Sequence, residues 1–142
     1  MSENTEPLLL YIDKKYKDKE DQLLHDKNSI FKKAGNKLGN KDLFMLALVT
    51  GFQAGMKYKI ESRADFDLRV VYLNGSEKAL IKAIAIKDTR DFNIISNPVR
   101  YYTVAEEYVN AGIDILYDLC IEKDYTTYMS DLENQLFKLV KD

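Results

Sequence analysis

The chain has 142 residues, with 21 Lys and Arg, 23 Asp and Glu, 46% hydrophobic residues and one cysteine. This balance is typical of a single globular domain and excludes a disordered chain, while the lone cysteine excludes an intrachain disulfide. The first residues are acidic and polar, and every apolar stretch is too short to cross a bilayer, so we expect a cytoplasmic protein without a membrane anchor.

The first elements in chain order are predicted to be helices. Thr5 as a cap, Pro7 in the first turn and a partly helical apolar spacing up to Tyr16 indicate the first helix. A second short helix is expected from Leu23 to Phe31.

The segment Asp42–Phe52 predicts a central buried helix because it is apolar on nearly every side. Asn40 or Asp42 can cap its start. Gly51 and Gly55 are expected to end it, since glycine favours the left-handed conformation that follows many helices.

The segment Asp67–Leu73 is ambiguous. Its β-branched and aromatic residues favour a strand, but the sequence offers no second strong strand to pair with it. We therefore predict a short helix or an extended connector there, with a strand as the alternative. Asn74–Glu77 then indicates a turn and the cap of the next helix.

The most strongly patterned helix is predicted over residues 104–122, and a last amphipathic helix over residues 128–140. Thr103 and Glu106 fit a capping box at the start of the first of these. Gly112 lies inside it, where glycine costs about 1 kcal/mol relative to alanine, so we expect close approach of another helix or of a partner.

These elements predict a mainly α fold. We expect a single-domain compact bundle of about five to seven helices over residues 7–142, with a possible short extended segment near residues 67–73. Residues 1–6 are expected to form a flexible tail.

Charge is unevenly distributed along the chain. Residues 1–102 carry 18 basic and 14 acidic residues, whereas residues 103–142 carry 3 and 9. Lysines contact phosphates without reading bases, so the basic segment 27–41 is a candidate nucleic-acid contact, and a solvated surface is the plainer interpretation. Its lysines are Lys27, Lys32, Lys33, Lys37 and Lys41.

An acidic stripe is predicted on the helix over residues 104–122, at helical spacing of three and four. Its members are Glu107, Asn110, Asp114 and Asp118. We expect a solvated or partner-binding face. The alternative is a Mg²⁺-dependent nuclease that uses Glu107, Asp114 or Asp118.

Other catalytic signals are weak. His25 is the only histidine, Cys120 lies on an apolar helix face and is expected in the core, and Arg69 is predicted to pair with a buried carboxylate. The sequence carries no nucleophile-elbow, zinc-protease or paired-cysteine motif. We therefore expect no catalytic residues, no metal site and no cofactor.

Three segments carry a family resemblance: residues 40–52, 79–86 and 104–116. In order and spacing they resemble small accessory proteins encoded beside DNA phosphorothioation (Dnd) clusters. The most distinctive part is Glu106-Glu107-Tyr108 followed by Asn110 and Gly112. The resemblance implies an accessory role in DNA modification or defence and brings no catalytic residues with it.

The leading hypothesis is therefore a non-enzymatic adaptor that binds a protein partner through its acidic C-terminal helices. Nucleic-acid binding through the basic segment 27–41 is the first alternative, and a metal-dependent nuclease is the second. A homodimer is also plausible, because Gly112 and the apolar C-terminal helix suit helix pairing.

Overall fold

The structure, a computed structural model, describes residues 5–26 and 39–122. This part of the chain forms two strands and four α-helices, joined by short 3-10 turns. In chain order these are β1 (Leu9–Asp13), α1 (Lys17–His25), α2 (Asn40–Ala54), β2 (Arg63–Arg69), α3 (Gly75–Thr89) and α4 (Pro98–Tyr117).

The prediction of a mainly helical protein is confirmed. Four α-helices in the described residues fall just short of the expected five to seven, and a π-helical turn, Asp118–Glu122, follows α4. The helix expected over residues 128–140 lies outside the described residues. None of the described helices is long and apolar enough to cross a membrane.

Helices α2 and α4 pack backbone against backbone at two glycines. A Cβ atom added at Gly112 would lie 1.8 Å from the Ala47 carbonyl oxygen, and one added at Gly51 would lie 2.1 Å from that of Tyr108. Gly112 thus marks close approach of another helix of the same chain, as one of the two expectations had it. The prediction that Gly51 ends α2 is wrong, because Gly51 lies inside the helix. The prediction for Gly55 is confirmed, since it ends α2 with φ of 68°.

The prediction of a first helix after Pro7 is wrong, because residues 9–13 form a strand. β1 and β2 pair antiparallel, with Tyr11 opposite Asp65 and Asp13 opposite Arg63. In β1, Leu10 and Ile12 are fully buried, and this alternation follows the two-residue period of a strand. The strand alternative for the ambiguous segment is correct for residues 67–69, and a 3-10 turn, Val70–Tyr72, follows.

Both outer edges of this small sheet are closed by side chains. On β1, the Tyr11 and Asp13 amides donate to the side chains of Glu106 and Asn110 of α4. On β2, the Asp65 carbonyl accepts from Lys17 Nζ at 2.7 Å, and the Asp67 carbonyl accepts from Asn40 at 3.2 Å. A two-stranded sheet is only marginally stable alone, so these bonds to the neighbouring helices stabilise it.

The starts of the last two helices test two sequence predictions. Asn74 caps α3 in a reciprocal box with Glu77, as predicted. The predicted box of Thr103 and Glu106 is wrong, because α4 already begins at Pro98. Proline suits the first helical turn, where its missing N–H would find no partner.

Candidate functional site

A cleft of about 400 Å³ opens between helix α4 and the connector that leads into β2. We call it the Glu106 cleft. It is lined by Lys59, Ile60, Glu61, Arg63, Thr103, Glu106 and Glu107. Acidic and basic groups therefore share one concave surface, which makes the cleft a candidate binding site.

Glu106 is the buried carboxylate of this cleft, with 8% of its surface exposed. Its Oε2 atom accepts the Tyr11 amide at 2.6 Å. Burial raises the pKa of Glu106 to about 7, and the Tyr11 N–H and the positive charge of Arg63 oppose that rise only in part. A carboxyl group with a perturbed pKa in a cleft is a recognised marker of a functional site.

Arg63 is held at the mouth of the cleft by the sheet. Its guanidinium carbon lies 4.8 Å from the centre of the Tyr11 ring, so it stacks on that ring. The antiparallel register places Arg63 opposite Asp13, beside the strand whose edge Glu106 closes. The ion pairs among the described residues do not include Glu106.

Asp13 fixes the connector that forms one wall of the cleft. Its buried carboxylate accepts the Glu61 amide at 2.7 Å and the Ser62 and Lys15 amides at longer distances. The bond from Glu61 is the largest influence on Asp13, and these bonds together hold its pKa below the ordinary value against the effect of burial. The ionised Asp13 carboxylate therefore holds this wall of the cleft in place through hydrogen bonds to its backbone.

Asn110 supports the same wall from α4. It is fully buried, its Nδ2 donates to the Tyr58 carbonyl at 2.8 Å, and its Oδ1 accepts the Asp13 amide at 3.0 Å. The prediction that Asn110 belongs to a surface stripe is therefore corrected. The sequence spacing put it on the polar face, but α4 is covered there by β1 and the connector.

The other members of the acidic stripe occupy three different environments. Glu107 is half-buried and lines the Glu106 cleft, Asp114 pairs with Lys19, and Asp118 is exposed. Within residues 5–26 and 39–122, no group of three His, Cys, Asp or Glu side chains could hold a metal ion. That part of the chain therefore lends no support to the nuclease alternative.

Of the basic segment, only Lys41 lies within the described residues, and Lys27, Lys32, Lys33 and Lys37 lie outside them. Lys41 Nζ is 3.3 Å from Glu77 Oε1 and donates to the Tyr72 carbonyl at 3.4 Å. A neighbouring carboxylate thus balances its charge, which weakens Lys41 as a candidate for contacting phosphate.

An exposed apolar surface lies at the start of β1. Leu8, Val71 and Tyr72 are 76%, 72% and 63% exposed, and we call these three residues the Leu8 patch. The Val70 amide donates to the Leu8 carbonyl, which brings the two segments together. Leu8 and Val71 also line one surface recess, and contiguous exposed apolar side chains are candidates for an interaction surface.

The three residues noted as weak catalytic signals lie in different environments. Cys120 is buried in the core, as expected. Arg69 is exposed beside the Leu8 patch, and no ion pair within residues 5–26 and 39–122 joins it to a buried carboxylate, so the predicted pairing is not found there. His25 is exposed at the end of α1, in a different environment from Cys120.

The sequence reasoning missed Glu106 and the Leu8 patch. It assigned Glu106 to a helix cap and the apolar run after Pro7 to a helix. The short continuous apolar run over residues 8–12 was the available signal, because such a run also fits a buried strand. The free edge of that strand would then have needed hydrogen-bond acceptors from a neighbouring element.

Fold and cleft together define a small, mainly helical protein in which one helix closes the edge of a two-stranded sheet. The chain belongs to the family described as DNA sulphur modification system-associated protein 4, whose model matches residues 13–139. This match confirms the resemblance to Dnd-associated accessory proteins, and the family is associated with a DNA sulphur modification system. Neither the curated proteins nor the solved structures contain a match.

Proposed function

We propose that this protein is a non-enzymatic accessory subunit of a DNA sulphur modification system and that it acts by binding another protein. The family match over residues 13–139 supports the system. The Leu8 patch is the observation that favours binding to a protein, because burying exposed apolar surface is the main driving force of protein association.

The patch also has the surroundings of a specific interface. It borders a recess of about 240 Å³ whose lining includes Arg69 and Lys78. Lys78 Nζ lies 3.3 Å from Glu6 Oε1, so charged groups border the apolar side chains in this recess. An apolar centre with a polar rim is the usual anatomy of a protein interface.

Affinity capture of the tagged full chain from its native cells tests this function. We expect the wild-type chain to capture a component of the sulphur modification system. The double variant Leu8→Ser and Val71→Ser should lose that component while it unfolds at a similar urea concentration, because both side chains are exposed. Phe92→Ser, 75% exposed in the turn between α3 and α4, is the matched control and should retain it. A wild-type chain that captures no protein contradicts the proposal.

Nucleic-acid binding through the basic segment 27–41 is the alternative function, and its support is the run of five lysines without an acid. A salt-dependent mobility shift with DNA separates the two. Binding that is abolished by changing Lys32, Lys33 and Lys37 to Glu would favour the alternative, and binding that is absent or unaffected would remove it.

A further inference from the structure

Glu106 differs from every other buried acidic side chain in the described part of the chain. Buried Glu20 lies 2.7 Å from Lys17 Nζ, and buried Asp13 accepts three backbone amides. Glu106 has one backbone amide, from Tyr11, and no ion pair with a described residue. A buried carboxylate normally has a cation in contact or several donors, whereas Glu106 has this one donor and, within the described residues, only the positive charge of Arg63 beyond ion-pair distance.

The cleft in front of Glu106 favours a cation from outside. The lining holds three carboxylates, of Glu61, Glu106 and Glu107, and two cations, Lys59 and Arg63, of which the Arg63 guanidinium is stacked on Tyr11. A volume of about 400 Å³ lies at the lower end of the range for ligand pockets and suits one long side chain. Because the carboxylates outnumber the cations, a cationic group with several donors in one plane fits the cleft better than a point charge.

We infer that the Glu106 cleft receives an arginine side chain of the partner protein, whose guanidinium pairs with Glu106 and with the carboxylates of the rim. This inference rests on the proposed function, since the arginine belongs to the protein that the chain binds. Arg63 would remain on the Tyr11 ring, and the incoming guanidinium would supply charge-assisted hydrogen bonds in addition to the bond that Glu106 accepts from Tyr11.

A titration of the ¹⁵N-labelled full chain with Nα-acetyl-L-arginine amide, followed by NMR, tests the inference. We expect saturable shifts of the Tyr11, Glu61 and Glu107 amide signals. The citrulline analogue has nearly the same shape but no charge, so it should bind at least about tenfold more weakly. Equal shifts with both probes, or no saturable shift with arginine, would overturn the inference.

Two variants sharpen the test. Glu106→Gln should weaken arginine binding by at least about tenfold, yet its amide oxygen can still accept the Tyr11 N–H, so the fold is retained. Asp118→Asn removes an exposed carboxylate beyond the end of the same helix and should bind arginine as the wild type does. Unchanged affinity of the Glu106→Gln variant would overturn the assignment.

Partner capture separates this inference from the proposed function. We expect Glu106→Gln to reduce the amount of partner captured and Asp118→Asn to leave it unchanged. If Glu106→Gln captures as much partner as the wild type, the cleft has no role in docking and the proposed function stands. If the wild type captures no partner, the proposed function fails, and this inference with it.

Discussion

The Glu106 carboxylate accepts the backbone amide of Tyr11 at 2.6 Å, across 95 residues of sequence. This bond attaches helix α4 to the outer edge of strand β1, so one acidic side chain closes a sheet edge and borders a cleft. The same residue therefore links the stability of the fold to the chemistry of the candidate site.

Stability should depend on the protonation of Glu106. Its pKa is about 7 in the folded protein, above the ordinary value of 4.5, so the protonated form is favoured by folding. The contribution of Glu106 to the free energy of unfolding is therefore fully favourable below pH 4.5, and it is lost as the pH rises through 7. We expect Glu106→Gln to raise the free energy of unfolding by about 2 kcal/mol at pH 8 and to change it little at pH 4.

Urea denaturation of wild type and Glu106→Gln at these two pH values checks this prediction. Asp118→Asn, which removes an exposed carboxylate, is the control and should match the wild type at both. A Glu106→Gln variant that is less stable than the wild type at pH 8 would contradict the prediction.

Close packing of α2 on α4 should make Gly112 intolerant of a side chain. Gly112→Ala should destabilise the protein by about 3 kcal/mol, because the new Cβ would meet the Ala47 backbone at 1.8 Å and backbone atoms yield little. This loss outweighs the gain of about 1 kcal/mol in helix propensity. Thermal and urea unfolding measure the change.

Gly75→Ala is the matched control for that substitution. Gly75 also lies in a helix, but a Cβ added there meets no atom within 4 Å. We expect a neutral or slightly stabilising effect. Similar losses in the two variants would show that α2 and α4 do not meet at Gly112.

The buried Asn110 should be essential for the wall of the cleft. Asn110→Ala leaves the Asp13 amide and the Tyr58 carbonyl without their partners, which should cost about 3 kcal/mol for two buried groups. Hydrogen exchange of the Glu61 and Ser62 amides should accelerate as well, since Asp13 positions both. Unchanged stability and exchange would be inconsistent with this network.

We expect Lys17 to stabilise the fold by pairing with the buried Glu20 carboxylate. Lys17→Met removes the cation that lies 2.7 Å from the Glu20 carboxylate and also the donor to the Asp65 carbonyl. Because Lys17 is partly exposed, we expect a loss of about 2 kcal/mol rather than the larger values of fully buried pairs. Lys14→Met, at a neighbouring exposed position, should cost less than about 0.5 kcal/mol in the same urea titration.

The sequence alone determined the elements whose signal is local. The apolar run from residue 42 predicted α2, the Asn74 and Glu77 pair predicted the start of α3, and Cys120 was correctly assigned to the core. Helix periodicity and capping depend on residues within a few positions of each other, so one segment carries the whole signal. The family resemblance also rested on three such helical segments and is confirmed by the family match.

The tertiary structure alone decided the sheet and the candidate site. β1 and β2 are separated by about 50 residues, and neither predicts its partner, because pairing is a relation between two segments. Once they pair, the free edge of β1 needs acceptors, and Glu106 and Asn110 supply them from α4. Glu106 was predicted to cap the helix and Asn110 to lie on its polar face, since helical spacing indicates which residues share a face but not what covers that face.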